Sequence, residues 1–379
     1  MSGEMKAKYL ILLAFLLLGP AQGQGAEPAQ LYKQVLRTND YICPPCYHTD
    51  EDQEVYKQDG QCPICGMALI ENPRHAWKSE IDLHTGSGNF TLAGGSARAG
   101  KSVTVFYQAP SEFSPQSRIL LVIPGGGRNA WDYRDSWIEA SERHDLLILS
   151  LAYAEAEYSF ADYHMGGVIE NLQFNNLRTS GPAKSPNKYH LRDEDIVFDL
   201  NQDPGTWLFN DFDHVFERVV AATGSAQKDY DIFGHSAGGQ ILHRLAVFKP
   251  GTRARTIVAA NSGQYTIPVT SLDPPFGLKG LDSKLLDMPA AFATRLVLMV
   301  GELDNKDETR GTMLHTPIAD QQGLGRLERG QYFFRQSKDI AEAMNLPFNW
   351  QIQTIRDTGH DHRKMAQAAA EFLFNSPIQ

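Results

Sequence analysis

From about residue 76 the chain alternates two patterns of apolar and polar positions. Predominantly apolar stretches at 118–123, 145–153 and 295–300 read as strands buried on both faces. Stretches at 131–143, 212–222, 332–344 and 362–374 read as helices; in the second, Val215, Phe216 and Val219 fall on one face. Segments 81–92 and 101–109 read as the first strands, on either side of a Gly/Ser-rich turn, and 255–261 and 349–355 as later ones. Strands alternating with helices in this way predict an α/β fold: a mostly parallel sheet with helices on both faces. Three stretches break the rhythm. Residues 264–292 are Pro-rich and 305–330 loop-like, and the polar, aromatic-dotted run 154–210 is too long for a plain connection, so it is expected to be a lid or binding loop. Its aromatic residues Tyr158 and Trp207 are expected to shape substrate preference.

The first 25 residues stand apart from this pattern. Lys6 and Lys8 precede a short apolar run at 9–18, Gly19-Pro20 breaks it, and Ala21-Gln22-Gly23 offers a small-x-small cleavage site. That order is the signature of a secretory signal peptide. The run falls short of the roughly 20 residues a membrane span needs, so an exported protein, periplasmic or secreted, with no membrane span after cleavage is expected, with an uncleaved anchor as the alternative. The 379 residues are 42% hydrophobic and 21% charged, as in an ordinary globular protein. A formal net charge of −10 without a basic stripe argues against nucleic acid and anionic membrane surfaces as partners.

All four cysteines lie within a segment bounded at 38–73, as Cys43-Pro-Pro-Cys46 and Cys62-Pro-Ile-Cys65. Two C-x2-C turns separated by fifteen residues aim four thiolates at one point, a tetrahedral set suited to a structural Zn2+. So short a segment buries too little apolar surface to fold alone, and a metal would supply the missing stability. Disulfides and transient copper handling are the alternatives. The runs Tyr41-Ile-Cys43-Pro44 and Gly60-Gln-Cys62-Pro63-Ile-Cys65-Gly66-Met67-Ala-Leu69 resemble the heavy-metal-binding domain carried by bacterial copper-efflux proteins. That family usually has histidine where this chain has Cys46, a departure that favours a closed four-thiolate site; His48 and Met67 are further soft donors.

The chemistry of the larger part, residues 76–379, centres on Gly234-His235-Ser236-Ala237-Gly238, which joins a strand-like run to a helical one. This is a G-x-S-x-G elbow: small residues two before and two after let the chain fold back and present the serine at the start of a helix. The partners are expected in the order acid, then histidine. Past the 295–300 strand the acid is Asp304, with Asp307 as rival and Glu302 placed before the turn is complete. Past the last strand Gly359 permits a sharp turn that brings His360 to the serine, with His362 as rival. His235 is forced away by the elbow, and His243 and Arg244 read as packing and surface pairing. For an oxyanion the donors expected are the N–H groups of Ala237 and of Gly126, with Gly127 close behind, in the run Pro124-Gly125-Gly126-Gly127-Arg128. No lysine-serine pair follows that run to support a phosphate loop.

Residues 118–375 resemble the secreted α/β-hydrolases related to polyhydroxybutyrate depolymerases and feruloyl esterases. The resemblance rests on Arg128-Asn129-Ala-Trp-Asp-Tyr133-Arg134-Asp-Ser-Trp137, the elbow through Gln240, His243 and Arg244, Ala260-Asn-Ser-Gly263-Gln-Tyr265-Thr-Ile-Pro268, and Gln322-Gly323 through Arg326 to Arg329-Gly330. Where this chain has Pro124 the family's loop often begins with histidine. The resemblance implies an α/β-hydrolase fold and an exported serine hydrolase acting on a small or polymeric carboxylic ester through an acyl-enzyme, with no metal in catalysis. A peptidase or amidase on the same triad is one alternative. A protein whose main task is metal binding by the cysteine segment is another.

Overall fold

The apolar blocks form one eight-stranded sheet. A computed structural model describes residues 41–42, 55–56, 58, 60, 61, 63, 70–71, 81–95, 98, 100–181 and 187–375. The sheet strands are β1 (Gly86–Ala93), β2 (Ser102–Ala109), β3 (Arg118–Ile123), β4 (Leu146–Ala152), β5 (Tyr230–His235), β6 (Ala254–Ala260), β7 (Leu296–Gly301) and β8 (Gln351–Ile355). Across the sheet they run β8-β7-β6-β5-β3-β4-β2-β1. β2 is antiparallel to both neighbours, and every pairing from β4 to β8 is parallel. The parallel strands therefore end on one edge, where an α/β sheet opens a crevice.

The two-residue period of a strand sorts its side chains between two cores. Ile119, Leu121 and Ile123 face one layer with Ile232, Ile257 and Leu298, covered by helices Asn210–Thr223, Ala237–Phe248 and Arg326–Ala343 through Phe216, Leu245 and Phe333. Leu120 and Val122 face the other with Phe233, Val258 and Val297, covered by Tyr133, Trp137, Met365 and Ala366. This confirms the α/β fold class.

Two helices differ from expectation. The stretch 131–143 is two short helices, Ala130–Asp135 and Ile138–His144. Trp137 leaves helical geometry between them (φ −113°, ψ 1°) and sets its ring edge-on to Phe233 at 5.1 Å; burying that indole breaks the run. The helix expected at 332–344 begins at Arg326. Its first turns bury Arg326 and Arg329 rather than apolar residues, so hydrophobic periodicity does not register them.

The three irregular stretches converge into a cap. From 154–210 come a helix, Phe160–Met165, and short strands; Lys188–His190 pairs with Arg178–Ser180 and, in parallel, with Met313–His315 of the 305–330 stretch. Phe174, Leu191, Ile196, Phe276, Leu314 and Ala319 form a separate small core drawing on all three. Strands of three to six residues are too short to show a period in the sequence. Tyr158 and Trp207 are buried in the main core, Tyr158 against Tyr153 and Trp207 against Phe209 and Phe248.

Within 38–73, strand Tyr41–Ile42 pairs antiparallel with both Val55–Tyr56 and Ile70–Glu71. Among the described residues no helix is long and apolar enough to cross a membrane.

Candidate active site

At the end of β5 the chain turns directly into helix Ala237–Phe248, and Ser236 sits at the junction with φ +59° and ψ −115°. A non-glycine residue held there stores on the order of 1–3 kcal/mol of strain. The surroundings hold it: the Ser236 N–H donates to the Ala260 carbonyl at 2.9 Å, and the Gln240 N–H to the Ser236 carbonyl at 2.9 Å. A Cβ on Gly238 would overlap the Ile123 carbonyl, and one on Gly234 the Gly238 carbonyl. The two glycines of the motif are thus required by contact between β3, β5 and the helix that follows.

The parallel edge brings the three expected residues together. Ser236 follows β5, Asp304 follows β7 and His360 follows β8. His360 Nε2 lies 3.0 Å from Ser236 Oγ, and His360 Nδ1 lies 2.7 Å from Asp304 Oδ2. The rivals lie elsewhere. Asp307 is exposed, as is Glu302, whose carboxylate accepts the Asp357 N–H at 3.1 Å. His362 stacks on Tyr133 at 4.3 Å and reaches Asp132 at 3.2 Å.

Several groups that hold this arrangement were not singled out as functional in the sequence. The Arg326 guanidinium donates to Asp304 Oδ1 at 2.9 Å, and both side chains are enclosed, at 1% and 0% exposure. Glu308 accepts the backbone N–H of His360 at 2.7 Å. Against the effect of burial, hydrogen bonds from Arg310 and the His360 N–H hold its carboxyl down at about 2. Asn261 ties three loops, accepting the Gly301 N–H at 2.8 Å and donating to the Gly359 carbonyl at 3.1 Å. Their partners lie 40 residues or more away in sequence for Glu308–His360 and Asn261–Gly301; no local pattern marks such pairs. Burial pushes the Asp304 carboxyl up, with Arg326 pulling against it. Burial, then Arg326, pushes the His360 imidazole well below its ordinary range.

His235 is buried beside the site, its ring 3.0 Å from the Tyr133 hydroxyl and 4.5 Å from the His360 ring. His243 is a core residue: Nε2 accepts the Thr266 N–H at 3.0 Å, and Nδ1 faces the Gly239 carbonyl at 3.2 Å. Arg244 is not a surface residue. It is buried and donates to the His164 carbonyl at 2.9 Å, the Gln240 carbonyl at 3.1 Å and Thr266 Oγ1 at 2.9 Å, joining the cap to the elbow helix. Desolvation pushes its guanidinium down to about 9.

Ala237 is the first residue of the elbow helix, so its N–H stands at the positive end of the helix dipole. The glycine loop passes alongside: a Cβ on Gly125 would lie 3.3 Å from Ser236 Cβ, while Gly126 and Gly127 are exposed, with only His164 near the Gly126 Cβ position, at 3.9 Å. Cys43, Cys46, Cys62 and Cys65 lie outside the described residues, as do His48, Met67 and residues 1–25.

Poly(aspartic acid) hydrolase-1 from Sphingomonas sp. KT-1 is 30% identical, with a TM-score of 0.64 over 78% of this chain and 100% of that one. The chain belongs to the α/β-hydrolases. This hydrolase is also similar to LpqC, a poly(3-hydroxybutyrate) depolymerase from Bordetella parapertussis, at 26% identity and a TM-score of 0.62 over 78% and 92% of the two chains. Residues 41–72 match the family described as Heavy metal binding domain. No curated protein matches the chain. Eight strands in this order, with Ser236, Asp304 and His360 following strands that end on one edge, make the larger part of the chain an α/β-hydrolase in fold as well as in sequence.

Proposed function

We propose that this α/β-hydrolase is an exported serine hydrolase that cleaves carboxylic esters through an acyl-enzyme. The observation that carries the reading is the continuous hydrogen-bonded path from Ser236 Oγ through His360 to Asp304, at 3.0 and 2.7 Å. His360 takes the proton of Ser236 as Oγ attacks the carbonyl, and Asp304 holds the imidazole with Nδ1–H inward and stabilises its cation. The tetrahedral oxyanion receives the N–H groups of Ala237 and Gly126, a contribution of about 3 kcal/mol or more per donor. His360 then protonates the leaving alcohol and activates water to release the acid. Export rests on the charged, apolar and small-residue order of positions 1–25.

A second reading has its own support. The relative at 30% identity is a hydrolase of poly(aspartic acid), a polyamide, and the same triad serves amide cleavage. A panel run on the full chain separates the two: aryl esters, oligomers of 3-hydroxybutyrate and poly(aspartic acid), with fluorophosphonate labelling to report the serine. Ester turnover is expected, together with labelling. Cleavage of the polyamide alone would replace the ester reading by the amide one, and turnover without labelling would remove the serine mechanism.

We also assign one structural zinc to Cys43, Cys46, Cys62 and Cys65. Four thiolates at C-x2-C spacing fit a closed tetrahedral site, which leaves no open position for substrate. Elemental analysis of the purified protein should find close to one zinc per chain, and none after Cys62→Ser, with ester turnover retained. Absence of both metal and free thiols in the unfolded protein would identify disulfides instead.

A further inference from the structure

The run from Gln322 to Gly330 carries two buried arginines whose charges the triad chemistry does not use. Arg329 is accounted for by packing. It donates to the carbonyls of Gly323 and Gly263 at 2.8 and 2.7 Å and to Asp320 at 3.0 Å, fastening the start of its helix to the β6 end of the sheet. Arg326 is different, because its partner is Asp304. One arm donates to Asp304 Oδ1 at 2.9 Å and the other to the Thr312 carbonyl at 2.8 Å. The backbone is tied in as well: the Leu327 N–H donates to the Asp304 carbonyl at 2.9 Å, and a Cβ on Gly325 would overlap the backbone of Asn305. The first turn of this helix is thus built against the loop that carries the acid.

Resting on the triad reading above, we propose that Arg326 is a positioning residue that fixes the orientation of Asp304 and, as a permanent buried positive charge behind it, opposes proton uptake by the Asp304–His360 pair, so that Ser236 keeps a neutral base in mildly acidic surroundings. The argument has two parts. With Oδ2 facing His360 and Oδ1 held by Arg326, the carboxylate cannot rotate without breaking a charge-assisted bond. The Arg326 guanidinium, ion-paired with Asp304 at 2.9 Å, also places a cation directly behind that carboxylate. The pair takes up a proton as a unit, and wherever that proton rests an adjacent cation disfavours it. A triad carboxylate alone would strengthen the base; here Arg326 offsets that effect.

The other charges facing His360 do not replace it. Glu308 holds the His360 N–H but is itself neutralised by Arg310, which also reaches Asp361 at 3.5 Å. Arg310 is 53% exposed and screened by solvent. His235 packs on the His360 ring, and His362 is engaged with Asp132, which also pairs with Arg363. The depressed imidazole of His360, with Arg326 the largest contributor after burial, agrees with this geometry.

The test is the pH dependence of fluorophosphonate labelling and of kcat/KM for a neutral aryl ester, measured on the full chain. In the wild type the acid limb should fall below the ordinary histidine range near pH 6.5. Arg326→Gln should move it upward by roughly one pH unit as well as lowering the plateau. Arg326→Lys should leave the limb near the wild-type position while lowering the plateau. A limb that stays put in Arg326→Gln, with only the plateau reduced, makes Arg326 a packing residue and overturns the inference. If Arg326→Gln does not fold, the other two proteins decide: a wild-type limb at or above the ordinary range, or a Lys variant shifted upward, overturns it. Labelling of Ser236→Ala would instead overturn the triad reading, so the two failures are distinguishable.

Discussion

Replacing Ser236 by alanine is expected to abolish turnover and fluorophosphonate labelling while the protein stays folded. Removing the nucleophile of such a triad costs about six orders of magnitude in kcat, because the remaining groups have no covalent path to assist. The stability effect should be small. Among the described residues Ser236 Oγ makes one hydrogen bond, to His360, worth about 1 kcal/mol net. The strained backbone is imposed by β3, β5 and the helix rather than by the hydroxyl, so alanine inherits the same φ. Labelling, steady-state rates and a thermal melt of the two proteins check this. A variant that kept a tenth of wild-type activity would exclude Ser236 as the nucleophile.

Asp304→Asn should be nearly as damaging, lowering kcat by about four orders of magnitude with little change in KM. The surroundings make the direction unambiguous. Arg326 can only donate, so the new amide turns its oxygen toward Arg326 and its NH2 toward His360 Nδ1. His360 must then accept at Nδ1 and carry its proton on Nε2, the tautomer that cannot take a proton from Ser236. Asp307→Asn, at an exposed position, should leave kcat within a factor of two or so. Steady-state kinetics of both variants decides the matter, and a severe loss in Asp307→Asn with none in Asp304→Asn would relocate the acid.

The fold was legible because its strands announce themselves. The runs 119–123 and 296–300 are apolar throughout, and they lie in β3 and β7 with both faces covered. The elbow was legible for a related reason: its glycines answer a local steric demand that any sequence making this turn must meet. The same reading failed where short strands or buried polar groups do the work. The cap strands are three to six residues long, and Arg326, Glu308, Asn261 and Arg244 look in sequence like ordinary polar residues. Arg244, Asn261 and Arg326 stand in stretches that carry the family resemblance, but the part each plays shows only in the distant group it meets.

What the sequence by itself determined is therefore the class of fold, the position of the elbow and the short candidate sets from which acid and histidine could come. Strand periodicity, chain order and the space a tight turn allows are local quantities, written in neighbouring residues. Only the tertiary structure decided that Asp304 rather than Asp307, and His360 rather than His362, stands on the hydrogen-bonded path to Ser236, that Arg244 is internal, that three irregular stretches share a core, and that the buried charge of Arg326 sits behind Asp304. Those outcomes depend on where separate strands end on a common edge, and on which helix start packs against which loop, distances that no pattern along the chain encodes.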